Sequence, residues 1–159
     1  MRSRIPAAAG FALVTLLAVT PAVTAGASPA RKAACSPTRA DALGPFYEPG
    51  APFRQKVGTG YVLTGRVLAL RGCKVARGAR IEFWLANPAG EYDDAHRATV
   101  RAGAKGTYRF ESNRPVPYAG RPPHVHVRVS APGLRTLVTQ HYPRPGASRA
   151  AFNLVLRSR

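Results

Sequence analysis

The chain has 159 residues, 45% of them hydrophobic, with 15 Gly and 15 Pro. That length suits one ordinary domain; the apolar stretches argue against disorder, and Gly and Pro spread throughout exclude long helices. Lys and Arg number 24 against 7 Asp and Glu, a formal net charge of +17, which favours anionic polymers or anionic small molecules without choosing between them.

At the N terminus, Arg2 and Arg4 precede 13 uncharged, mostly apolar residues from Ala7 to Val19. Pro21 ends that run, and Ala25-Gly26-Ala27 is a small-x-small cleavage pattern. The pattern predicts a secretory signal peptide over 1–27, too short for a membrane span, and an exported domain over 28–159. Losing Arg2 and Arg4 would leave that domain at +15. In an oxidising compartment, the even pair Cys35 and Cys73 is expected to form a disulfide that pins the N-terminal arm to the domain.

Residues 28–58 lack periodicity and read as an extended arm. From there the period is two. Strands are predicted over 61–70, 79–86, 107–111, 124–130, 134–139 and 151–156. Turn signals separate them: Arg71-Gly72, Asn87-Pro88-Ala89-Gly90, Gly103 to Gly106, Ala119-Gly120 and Pro132-Gly133. About six short strands without a convincing helix describe an all-β fold, an antiparallel β-sandwich or barrel with an extended N-terminal arm.

The predicted strand 124–130 is the most informative. Val125, Val127 and Val129 point one way, into a core, and His124, His126 and Arg128 the other. Histidines at i and i+2 put two imidazoles on one side of a strand, close enough to share a metal ion. An isolated His-x-His is as readily a solvated polar face. Here Tyr118, Arg121, Pro122 and Pro123 lie just upstream, and Tyr92 lies in a loop after the strand that contains Trp84.

Taken in order, Gly44-Pro45-Phe46-Tyr47, Gly72-Cys73, Trp84, Gly90-x-Tyr92-Asp93, Tyr118, Arg121-Pro122-x-His124-x-His126 and Thr139-Gln140 resemble the intradiol ring-cleavage dioxygenases. The resemblance spans 35–142 and favours the compact secreted type. It implies a β-sandwich that binds Fe(III) through Tyr92, Tyr118, His124 and His126. Tyr92 and His124 match equatorial ligands. Tyr118 and His126 match the axial pair, Tyr118 being the ligand that leaves when substrate binds. It also implies that Arg121 stabilises charge on a bound diol and Gln140 orients it, with Gly44, Pro45 and Tyr47 lining the pocket mouth. The implied substrates are a small catechol-type aromatic diol and O2, the implied product a muconic-type dicarboxylic acid. Two anionic phenolates suit a hard trivalent cation, and only a strong nearby positive charge would hold two tyrosines, with ordinary pKa about 10, ionised at neutral pH.

Ordinary packing or surface roles are expected for Tyr47, Tyr61, Tyr108 and Tyr142 as regards metal, and for Trp84. His96 and His141 read as surface residues or supports behind the ligands, and Asp93 and Asp94 as partners for nearby arginines. Two other functions compete: a secreted β-sandwich that binds copper or zinc through the His-x-His strand, and a basic, non-enzymatic module that adheres to anionic polymers. No specific nucleic-acid motif accompanies the basic charge. The oligomeric state is open.

Overall fold

A computed structural model describes residues 35–159; the signal peptide expected over 1–27 lies outside the described residues. One sheet is built around β1 (Gly60–Ala69), which pairs antiparallel with β2 (Lys74–Val75) and β5 (Thr107–Asn113). A second sheet has the order β4 (Arg97–Arg101), β3 (Arg80–Trp84), β6 (Val125–Ser130), β7 (Leu137–His141), every pair antiparallel. The short strands β8 (Arg149–Ala151) and β9 (Leu154–Leu156) run parallel to β1. Three-residue helical turns at Arg71–Cys73 and Asp94–His96 are the only helical segments among the described residues. No helix among them is long and apolar enough to cross a membrane.

The expected alternation is present in β3 and β6. Ile81, Phe83, Val125, Val127 and Val129 turn inward against Leu63, Val67, Phe110, Leu154 and Leu156, and Phe83 stacks on Phe110 with centroids 4.3 Å apart. Each fully buried side chain of this kind contributes roughly 1.5–3 kcal/mol relative to exposure. The opposite face of the second sheet is polar. In register across it lie Trp84, His126 and Gln140 in one row, then Glu82 beside Arg128, then Arg80 beside Arg101.

The arm covers that polar face. The Cys35–Cys73 disulfide ties its start to the body of the domain. Asp41 N donates to Val138 O (3.0 Å), Thr99 N to Pro52 O (2.7 Å) and Val57 N to Glu111 O (2.8 Å). This cover hides β4 from period-two reasoning: Arg97, Ala98, Thr99 and Val100 are all buried, so no alternation marks the strand. Every expected strand differs from its observed limits at one end or both, and two of the differences have a clear cause. β7 starts at Leu137 rather than 134, because Leu134 N turns back onto Ala131 O and Leu134 bridges to Ser158. The segment 151–156 forms two strands split at Phe152 and Asn153. There the Phe152 carbonyl accepts the Tyr108 hydroxyl and Asn153 Oδ1 accepts Arg66 N.

Candidate metal centre

β6 delivers the histidines. Its inward valines fix its rotation, so His126 must face out, and His124 follows one repeat earlier. His124 Nδ1 lies 2.7 Å from the Pro122 carbonyl. With the proton held there, Nε2 is left as a lone pair aimed away from the backbone, the orientation a metal-binding imidazole needs. Trp84, across the strand pair, stacks on the His126 ring at 4.9 Å and 5°, and Gly44 closes against its other side. A Cβ added to Gly44 would come within 2.9 Å of His126 Cε1, and its φ of +75° favours glycine.

The tyrosines arrive on loops. Tyr92 sits between β3 and β4, in a loop organised by Asn87, whose side chain accepts from Ala89 N and Glu91 N and donates to Asp93. Tyr118 opens a tight turn closed by Arg121 N donating to Tyr118 O (2.8 Å), with Ala119 and Gly120 both at positive φ. A non-glycine residue in that region carries strain, and here it places Tyr118 and Arg121 on adjacent sides of one turn.

The four side chains meet. His124 Nε2 is 3.0 Å from His126 Nε2, and His126 Nε2 is 3.1 Å from the Tyr92 hydroxyl. The Tyr118 ring lies edge-on to Tyr92 at 5.0 Å and tilted to His124 at 5.5 Å. Desolvation by burial is the main influence on three of the four. It lowers the His126 pKa to about 3, with help from His124 and Arg121. It lowers that of His124 as well. It raises that of Tyr92, reinforced by the Tyr118 phenol. The imidazoles are therefore neutral, and Tyr92 gives up its proton only if positive charge arrives. Two lone-pair nitrogens and two phenols gathered about one point are a donor set that a hard trivalent cation fits. Among the described residues no group of three or more His, Cys, Asp or Glu forms a metal cluster; this set mixes imidazoles with phenols.

Around these donors the other expected residues fall as follows. Arg121 Nη2 donates to Gln140 Oε1 (2.8 Å) and to the Tyr142 hydroxyl (3.3 Å). It makes no ion pair among the described residues, so its charge is available to a ligand. Gln140 Nε2 donates to Ala42 O (2.7 Å), fixing its amide to the arm. Tyr47 turns away from the four donors: its hydroxyl donates to Glu82 Oε1 (3.3 Å) and its ring lies 5.1 Å from Trp84. Trp84 is a packing residue, 2% exposed. Asp93 pairs with His96 at 2.7 Å rather than with an arginine, while Asp94 lies 3.5 Å from Arg97. His141 is half-buried and lies away from the ligands; its Nε2 is 2.6 Å from the Tyr61 hydroxyl.

Sequence reasoning missed two residues at this site. Phe46 stacks on Tyr92 at 4.4 Å and 12° and meets Tyr118 edge-on at 5.8 Å, roofing both phenols. Its only signal was its place inside Gly44-Pro45-Phe46-Tyr47. Tyr142 donates to Gln140 Oε1 (2.7 Å) and Asp41 Oδ2 (3.2 Å), with its ring 5.7 Å from His124. Its signal was its position two residues after Gln140, just beyond the end of β7.

Residues 48–146 match a family profile described as Dioxygenase. The chlorocatechol 1,2-dioxygenase of Cupriavidus pinatubonensis is 30% identical over 133 residues, covering 62% of this chain and 52% of that protein. The catechol 1,2-dioxygenase of Candida albicans is 33% identical over 137 residues, covering 63% and 45%. This chain thus spans about half the length of the curated relatives it matches. Among solved structures, the dioxygenase domain of a dioxygenase carbohydrate-binding protein fusion from Streptomyces sp. SirexAA-E superposes with a TM-score of 0.70 at 28% identity. That match covers 78% of this chain and 100% of the other. The chain belongs to the intradiol ring-cleavage dioxygenase family.

Proposed function

We propose that this protein holds Fe(III) through Tyr92, Tyr118, His124 and His126 and uses O2 to open the ring of a catechol-type diol between its hydroxyls, yielding a muconic-type dicarboxylic acid. The reading is carried by the meeting of two imidazole nitrogens and two phenols at one point beside the free charge of Arg121. Bound there, ferric iron would supply Lewis acidity and draw electron density from the diol. The protein does the rest. The Tyr118 phenolate, ionised when the cation is held, would accept one of the two protons that the diol gives up, and water would take the other. Arg121 stabilises negative charge that develops on the substrate, as a preorganised cation in a largely dry site does. Gln140, held to the arm through Ala42, orients the diol. Phe46, Gly44 and Trp84 exclude water and hold the rings of Tyr92 and His126 in place.

Zinc or copper on the His-x-His strand would leave the Tyr92 and Tyr118 hydroxyls without a purpose. A purely adhesive module would leave the whole cluster without one. The signal peptide expected over 1–27 and the Cys35–Cys73 disulfide support a location outside the cytoplasm.

Reconstitution tests the proposal. Protein loaded with ferric iron should be burgundy, with a broad visible charge-transfer band, and should consume O2 when given members of a small panel of catechols. A colourless protein that takes up no iron, or an iron-loaded one inert toward every diol in the panel, refutes it.

A further inference from the structure

The four large apolar side chains that stand exposed among the described residues are Leu43, Phe46, Phe53 and Tyr142. Leu43, Phe46 and Phe53 lie on the arm, Phe46 at the phenols and Phe53 at the β4 edge, and Tyr142 stands beside Gln140 and His124. All three guanidinium–aromatic contacts among the described residues lie on the polar face of the second sheet. Arg128 sits over Tyr47 at 5.6 Å, and Arg80 and Arg101 sit over Phe53 at 5.4 and 5.1 Å.

Phe53 is the sharpest of these features. It is 59% exposed, yet its backbone is clamped on both sides, Arg54 N to Thr99 O at 3.1 Å and Thr99 N to Pro52 O at 2.7 Å. A residue whose backbone is already clamped loses less freedom when a ligand covers its side chain. Beneath it, Arg80 and Arg101 are directly opposed across β3 and β4, a like-charge pairing that costs stability in a sheet. Glu82 is in ion-pair contact with Arg80 but not with Arg101, and it also pairs with Arg128. Two guanidiniums share one acid and Arg101 is in no ion pair among the described residues, so the face presents uncompensated positive charge beside aromatic rings.

We propose that this face binds an extended anionic polyphenol, whose acidic groups meet Arg80 and Arg101 and whose rings stack on Phe53, while a terminal catechol unit enters the metal centre. The last clause rests on the function proposed above; the binding itself does not. Extension is required because Trp84 and Arg80 are four residues apart on β3, about 13 Å at the rise of a strand. That is longer than a single catechol ring. Aromatic character is required by Phe53, because an aliphatic polyanion would use the arginines and gain nothing from the ring.

Binding is measured on the full folded chain at about 0.15 M salt, where long-range attraction is screened beyond about 8 Å. The probes are a soluble carboxylated lignin fraction and polyacrylate of matched charge. The lignin fraction should bind at least about tenfold more tightly than polyacrylate. Phe53→Ala should weaken lignin binding about fivefold, in line with stacking at an exposed site, and leave polyacrylate binding unchanged. Arg101→Gln should weaken both. Neither substitution should alter oxygen uptake with free catechol. Equal affinity for the two polymers, or a Phe53→Ala protein that binds lignin as the parent does, overturns the proposal. Failure of the enzymatic reading would show instead as absent oxygen uptake by the parent, with the binding pattern intact.

Discussion

Two histidine–tyrosine pairs can be compared within this domain. His141 and Tyr61 meet at 2.6 Å, and His126 and Tyr92 meet at 3.1 Å on the covered polar face. Burial is the leading cause of the low pKa in both histidines, to about 4 in His141 and about 3 in His126. Their surroundings differ. Phe152 packs against His141 at 5.1 Å, and the single O–H···N contact satisfies both polar groups, so the first pair is closed. The second adjoins another imidazole and another phenol, with too few protons to satisfy every lone pair. Burial alone therefore does not make a site; an excess of donors around one point does.

The largest effects should separate the pairs outright. Tyr92→Phe or His124→Ala should abolish iron retention and the visible band, read by metal analysis and absorbance, while Tyr61→Phe should retain both. Next comes acid stability. His141 takes up a proton near 6.5 when unfolded and near 4 when folded, so the unfolded chain binds more protons across that window. Stability should fall as pH drops from about 6.5 to about 4 and level off below, with His141 contributing at most about 3 kcal/mol. Denaturant titrations of His141→Gln should show a shallower fall, and an unchanged slope would contradict the assignment. Gly44→Ala should cost about 1–2 kcal/mol from its left-handed backbone, and iron affinity should drop because the new methyl presses on His126. Smallest is Tyr61→Phe itself, about 1 kcal/mol for one lost hydrogen bond, read by denaturant midpoint.

Much of this arrangement was legible in the sequence where one strand face is apolar and the other is not. Val125, Val127 and Val129 announced the orientation of β6, and with it the direction of His124 and His126. The same logic failed for β4, because the arm buries its second face and erases the alternation. It failed at Phe152 too, where two strands separated by a backbone contact look continuous. There the Phe152 carbonyl comes so close to β1 that a Cβ on Gly65 would lie 2.1 Å from it, a close approach no local pattern reveals. Phe46 and Tyr142 escaped notice because their partners are remote in the chain: Tyr92 lies 46 residues beyond Phe46, and Asp41 lies 101 before Tyr142. The basic charge suggested a class of partner, and only the opposition of Arg80 and Arg101 beneath Phe53 singles out the face we propose for it.

The parallel pairing of β9 with β1 sets the timetable of folding. Val67, Leu68 and Ala69 are paired with Leu154, Val155 and Leu156, and Thr38 of the arm also bonds to Val155. A nascent chain leaving the ribosome can pair β1 with β2 and β5 early, but the other edge of Val67–Ala69 stays open until residues 154–156 have been synthesised. Such long-range closure is slow, and until it happens the arm has no anchor at Val155.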